Sequence, residues 1–120
     1  MTPEGKVEKH LVDAINSIGG LCLKFRSPSS RGVPDRIVMY DGNICFVELK
    51  APGESPRKSQ LSMIRKMDEQ KIPVYVADSP EDIDNFIKDV LQVDHFKIEK
   101  EKNEMTILKN AFFKDGEDMI

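Results

Sequence analysis

Apolar residues recur every third or fourth position through residues 4–18, where Val7, Leu11, Val12, Ile15 and Ile18 share one stripe and predict an amphipathic helix. Thr2 suits its N-cap, Pro3 its first turn, and Gly19-Gly20 its end. The period then changes to two. Residues 21–26 alternate like a strand, with Leu21, Leu23 and Phe25 expected to face inward. Turn formers fill residues 27–34, and strands are predicted over 36–40 and 44–51. Asp41-Gly42-Asn43 joins these two strands, and Asp-Gly is a strong hairpin signal because both central positions of the tight turn take positive φ. Pro52-Gly53 ends the second strand. A helix over 57–71 with Leu61, Ile64 and Met67 inward, a strand over 74–78 and a helix over 80–91 complete the pattern. Ser79 caps the last helix, with Asp82 placed as the acid of a capping box. The order α-β-β-β-α-β-α defines an α/β fold: a mixed sheet with helices on its faces. Residues 1–94 form the predicted domain. Residues 95–120 are an extension, either a hairpin around Lys102-Asn103 or a frayed tail.

The chain has 120 residues, enough for one core and short for two. No apolar run approaches the ~20 residues of a membrane-spanning helix, and the first residues lack the pattern of a secretory signal. Cys22 and Cys45 lie in strand-like apolar runs, which points to buried thiols in a reducing cytoplasm, and too few ligands accompany them for a zinc site. The net charge of −3 conceals an uneven distribution. Residues 21–66 hold nine Lys/Arg against four Asp/Glu, whereas residues 67–120 hold seven against fourteen. A basic segment within an acidic chain still forms a local phosphate-attracting patch, because exposed charges act over about 8–10 Å.

The chemistry concentrates in the hairpin. With Asp41-Gly42 as the loop, Tyr40 pairs with Asn43 and Asp35 falls opposite Glu48; with Gly42-Asn43 as the loop, Asp35 falls opposite Lys50. In either register Asp35, Glu48 and Lys50 point to one side, since side chains alternate with period two. Two carboxylates and a lysine on an otherwise apolar hairpin are unfavourable to bury without a compensating partner. A hard divalent cation, Mg²⁺ or Mn²⁺, compensates them best: it takes oxygen ligands, keeps waters and leaves room for a phosphate. Lys50 would then stand beside the ion and stabilise negative charge building at the phosphate. The competing interpretation of the trio is a structural ion-pair network.

Gly-Val-Pro-Asp-Arg at 32–36 followed by Val-Glu-Leu-Lys at 47–50 resembles the PD-(D/E)xK nuclease signature. The flanking segments are closer still to the virus-type replication-repair nuclease (VRR-NUC) domain. They comprise a Glu in the first helix, Lys-Phe-Arg-Ser-Pro at 24–28, the Arg-Gly-Val-Pro-Asp-Arg run, Val-Glu-Leu-Lys-Ala, and a Gln early in the next helix. The resemblance spans roughly residues 4–80 and implies a restriction-endonuclease-like fold. It also implies Asp35, Glu48 and the Leu49 carbonyl as metal ligands, Lys50 as the catalytic lysine, Glu8 as the first-helix acid that completes the metal shell (Glu4 competes), and Gln60 as the helix Gln that orients the attacking water or a phosphate. Arg26, Arg31, Arg36, Arg57 and Lys58 flank the site as candidate phosphate contacts. His10 and His95 are not placed for catalysis, and no serine has a paired base.

The resemblance further implies metal-dependent hydrolysis of DNA phosphodiesters by a homodimer acting on branched substrates such as four-way junctions. A bacterial cytoplasm, or a host cytoplasm for a phage-encoded chain, is the expected compartment. The rival from another class is a non-catalytic nucleic-acid-binding module that keeps the fold.

Overall fold

The computed structural model describes residues 1–93; the hairpin or frayed tail expected over 95–120 lies outside them. The elements are α1 (Pro3–Ser17), β1 (Leu21–Lys24), β2 (Arg36–Tyr40), β3 (Asn43–Leu49), α2 (Lys58–Glu69), β4 (Val74–Ala77) and α3 (Pro80–Asp89), in the order read from the sequence. They build one four-stranded sheet, β1-β2-β3-β4, antiparallel except for the parallel β3–β4 pair. That parallel pair requires the α2 crossover, which carries the chain over one face of the sheet.

Local chemistry accounts for the boundaries. Thr2 Oγ1 accepts from the Gly5 N–H at 2.9 Å, satisfying a donor at the start of α1. Gly19 (φ 84) turns the chain out of the helix. Ser79 Oγ accepts from the Asp82 N–H at 3.1 Å, while the Asp82 carboxylate takes the Asp78 N–H at 3.0 Å in place of the reciprocal capping-box bond. At the hairpin, Asp41 (φ 48) and Gly42 (φ 82) both occupy the left-handed region of a two-residue primed turn.

The core lies between one face of the sheet and the helices α1 and α3. Val38, Cys45, Val47, Leu49 and Ala77 meet Val7, Leu11, Ala14, Ile15 and Ile18 of the first helical segment and Ile83, Phe86, Ile87 and Leu91 of the last. Ala14 takes the buried place expected for Val12, which is half-buried. His10 Nε2 lies 2.8 Å from Asp84 Oδ1, linking α1 to α3.

β1 corrects the sequence reading. Cys22 packs against the core, and Leu21 and Leu23 are exposed on the opposite face. Alternation separates the two faces of a strand correctly, but which one becomes the core depends on where α1 docks. On the outer face Leu21, Met39 and Ile44 form one cross-strand row, and Leu23, Ile37, Phe46 and Val74 form the next. The Phe25 and Phe46 rings lie 5.5 Å apart. α2 covers this face incompletely: its Leu61 is exposed, contrary to expectation, and Ile64 and Met67 are half-buried.

Candidate active site

The observed pairing of Tyr40 with Asn43 and Arg36 with Val47 decides the register left open above. Counting one step back sets Asp35 opposite Glu48, on the face that α2 crosses. Pro34 is fully buried, and its fixed φ feeds the chain into Asp35 in an extended path. Asp35 stands just past the end of the β2–β3 ladder. Its carbonyl accepts the Phe25 N–H at 2.9 Å, and its carboxylate Oδ2 accepts the Leu49 N–H at 2.8 Å. The side chain therefore replaces the backbone acceptor that β2 no longer offers to β3. Leu49 contributes this N–H from between Glu48 and Lys50, and the Lys50 N–H goes the other way, to the Ala77 carbonyl at 2.9 Å.

Glu48 sits on an interior strand and is 1% exposed; Lys50 is 8% exposed. Lys50 Nζ lies 3.5 Å from Glu48 Oε2. Gln60 comes from the first turn of α2, also buried. Its Oε1 accepts the Arg57 N–H at 2.8 Å, closing half of a capping box, and its Nε2 donates to Glu48 Oε2 at 2.6 Å. The cap thus decides which end of the amide faces the carboxylate: with the oxygen committed to Arg57, the nitrogen is presented to Glu48. The loop preceding α2 is tied down by the Gly53 N–H, which donates to Asp78 Oδ2 at 2.9 Å and is the main cause holding the Asp78 carboxyl below its usual range.

Glu48 Oε1 has no hydrogen-bond partner and no contact with solvent. Burial pushes the Glu48 carboxyl up to about 7, and the neighbouring Asp35 charge adds to the effect, with Lys50 offsetting only part of it. Such an arrangement leaves uncompensated negative charge and an oxygen without a partner. A divalent cation fits both. Among the described residues no group of three His, Cys, Asp or Glu side chains is placed to hold a metal ion; Asp35 and Glu48 stand as a pair of carboxylates. One or two carboxylates, with waters and substrate phosphate filling the remaining positions, are what Mg²⁺ takes in nucleotide-processing sites.

The other expected residues are placed as follows. Glu8 is not within this group: Arg36 Nε donates to its Oε2 at 3.0 Å, and Arg36 Nη1 donates to the Cys22 carbonyl at 3.3 Å. Arg36 is thereby occupied in joining α1, β1 and β2. Arg26, Arg31, Arg57 and Lys58 are exposed, as phosphate-contacting side chains must be. Cys22 and Cys45 are free thiols, and burial pushes Cys22 up to about 11 and raises Cys45, which disfavours the thiolate in both. The bonding of Gln60 to Glu48 was not legible beforehand. Its signal was Gln three residues after Arg57, the spacing at which a cap folds the side chain back over the helix start.

A mixed sheet whose interior strand carries Glu-x-Lys beside a preceding Pro-Asp, with a helix glutamine on the glutamate, defines the PD-(D/E)xK class of nuclease folds. Comparison with known proteins places the chain within that class. A solved VRR_NUC domain superposes with a TM-score of 0.69 at 30% identity, over 74% of this chain and 98% of the other. The chain belongs to the VRR_NUC family of nuclease domains. "Putative nuclease p44" of Acyrthosiphon pisum secondary endosymbiont phage 1 is 56% identical over 59 residues, 48% of this chain. The match spans 63% of that relative's length. No family model matches the chain. No helix among the described residues is long and apolar enough to cross a membrane.

Proposed function

We propose that this protein hydrolyses phosphodiester bonds in DNA, with Mg²⁺ or Mn²⁺ held by Asp35, Glu48 and the Leu49 carbonyl. The observation that carries the proposal is the buried, partnerless Glu48 Oε1 beside Asp35 and Lys50. A bound divalent cation supplies Lewis-acid activation of water and neutralises charge at the phosphate. The chain's own residues do the rest. Asp35 and Glu48 are rigidly presented, one by the Leu49 N–H and the other by Gln60. Lys50 brings positive charge to the developing phosphate oxygens from a buried position, where solvent screens it weakly. Glu8 is assigned a supporting role through Arg36, bracing α1 against the strand that carries Asp35.

Arg26, Arg31, Arg57 and Lys58 are assigned to the DNA backbone, where each released counterion contributes to a salt-dependent affinity. A homodimer acting on branched DNA is the finer reading. The outer sheet face supports it: Leu21 and Ile44, 55% and 62% exposed, share a row four residues along β3 from Glu48, about 13 Å away. A second copy covering that row leaves both sites open, and a two-fold pair matches the symmetry of a junction with two equivalent strands.

The test is cleavage of four-way junction, flap and linear duplex DNA with Mg²⁺, with Mn²⁺ and with EDTA. Metal-dependent cleavage is expected, with the junction preferred. Absence of cleavage of any DNA by the metal-loaded protein leaves the fold as a nucleic-acid-binding module and refutes the assignment.

A further inference from the structure

Gly32 lies three residues before Asp35 and takes φ +77, in the left-handed region. Its Cα rests against the peptide bond between Ser59 and Gln60. A methyl group on Gly32 would lie 2.3 Å from the Ser59 carbonyl oxygen, 2.6 Å from its carbon and 2.9 Å from the Gln60 nitrogen. These are backbone atoms of the first turn of α2, so no side-chain rotation relieves the contact. The same turn carries the Gln60 amide, whose Nε2 is 2.6 Å from Glu48 Oε2. The loop that delivers Asp35 to the site therefore also sets how closely α2 approaches Glu48.

We infer that Gly32 is a positioning residue for the nuclease reaction: its missing side chain lets the α2 start sit close enough for Gln60 to orient Glu48. The inference rests on the nuclease assignment above for its kinetic consequence, but its structural consequence is independent of it. To admit a Cβ, the Ser59–Gln60 peptide must retreat by about 1 Å, which moves Gln60 out of hydrogen-bond reach of Glu48. Misplacement on that scale typically lowers the chemical step by about 10²-fold.

Gly42 supplies the control. It has φ +82 with nothing within 4 Å of an added Cβ, so Gly42→Ala carries the same conformational strain without the collision. The experiment compares Gly32→Ala, Gly42→Ala and Gln60→Ala in the full chain, first by the NMR position of the Gln60 side-chain amide without metal. It then uses kcat and KM on the DNA that the wild type cleaves, with Mn²⁺. Gly32→Ala is expected to move the Gln60 amide toward its solvent-exposed position and to lower kcat about 10²-fold with little change in KM; Gly42→Ala should do neither. Added to Gln60→Ala, Gly32→Ala should cost less than about threefold further, because both act through one hydrogen bond. An unmoved Gln60 amide, a kcat equal to that of Gly42→Ala, or fully multiplicative effects would overturn the inference. So would unfolding of Gly32→Ala alone, since the contact would then hold the fold and not one side chain. A wild type inactive on every DNA removes the nuclease reading, and the amide shift still decides the role of Gly32.

Discussion

Replacing Glu48 by Gln should destroy cleavage and, without metal, make the fold more stable, by an amount that grows with pH. Burial and the Asp35 charge raise the Glu48 carboxyl from 4.5 to about 7 in the folded chain. The folded state thus holds the proton more tightly than the unfolded one. Its contribution to stability is full below the unfolded value of 4.5 and is lost as pH rises through about 7. At ~1.4 kcal/mol per pKa unit, ionised Glu48 at pH 8 destabilises the metal-free fold by about 3 kcal/mol; at pH 5 less than about 1 kcal/mol remains. Glu48→Gln abolishes the titration and retains an oxygen to accept from Gln60 Nε2. The stability gap between variant and wild type should therefore widen by about 2–3 kcal/mol from pH 5 to pH 8. The assay is urea unfolding of both proteins in EDTA at pH 5, 6, 7 and 8. At a slope of about 1–1.5 kcal/mol/M, the wild-type midpoint should fall by about 2 M relative to the variant. Saturating Mn²⁺ at pH 8 should close the gap by stabilising only the wild type. Parallel pH profiles for the two proteins in EDTA would refute the picture of Glu48 as a buried charge awaiting a cation.

Lys50→Ala should lower kcat by at least about 10²-fold while the circular dichroism spectrum with Mn²⁺ stays that of the wild type; loss of the fold would instead favour a structural ion-pair network. Gln60→Ala removes a 2.6 Å bond to Glu48 and should weaken Mn²⁺ affinity or activity by about 10–100-fold, measured by calorimetric titration and by cleavage rate. Ile44→Lys, at a position 62% exposed, should leave the monomer fold within ~0.5 kcal/mol of wild type yet convert dimer to monomer in sedimentation; an unchanged sedimentation coefficient would place any dimer contact elsewhere. Arg57→Ala should weaken DNA binding alike for all DNA sequences and reduce the salt dependence of affinity, with kcat retained at saturating DNA.

Much of this protein is determined by interactions close in sequence. Thr2, Pro3 and Gly19 delimit α1, and Asp41-Gly42-Asn43 marks a tight two-residue turn that allows either of two registers. In both registers Asp35, Glu48 and Lys50 must share a face, because a strand alternates strictly. The trio was therefore legible in the sequence, and the family signature around it added Glu8 and Gln60. Tertiary packing decided what local rules leave open. Leu21 and Leu23 alternate with Cys22 whichever face is buried, and only the docking of α1 and α3 on the Cys22 side turned both leucines outward. Glu8 went to Arg36, and Gln60 to Glu48, because helices distant in sequence arrive on opposite faces of the same hairpin. The closeness of that second arrival rests on Gly32, whose lack of a side chain acquires meaning only when the α2 backbone is pressed against it. Period and turn chemistry act within a few residues, so they select elements and the faces of strands. Which surfaces meet is a property of the assembled layers, and that is what brings Gln60 onto the hairpin's Glu48.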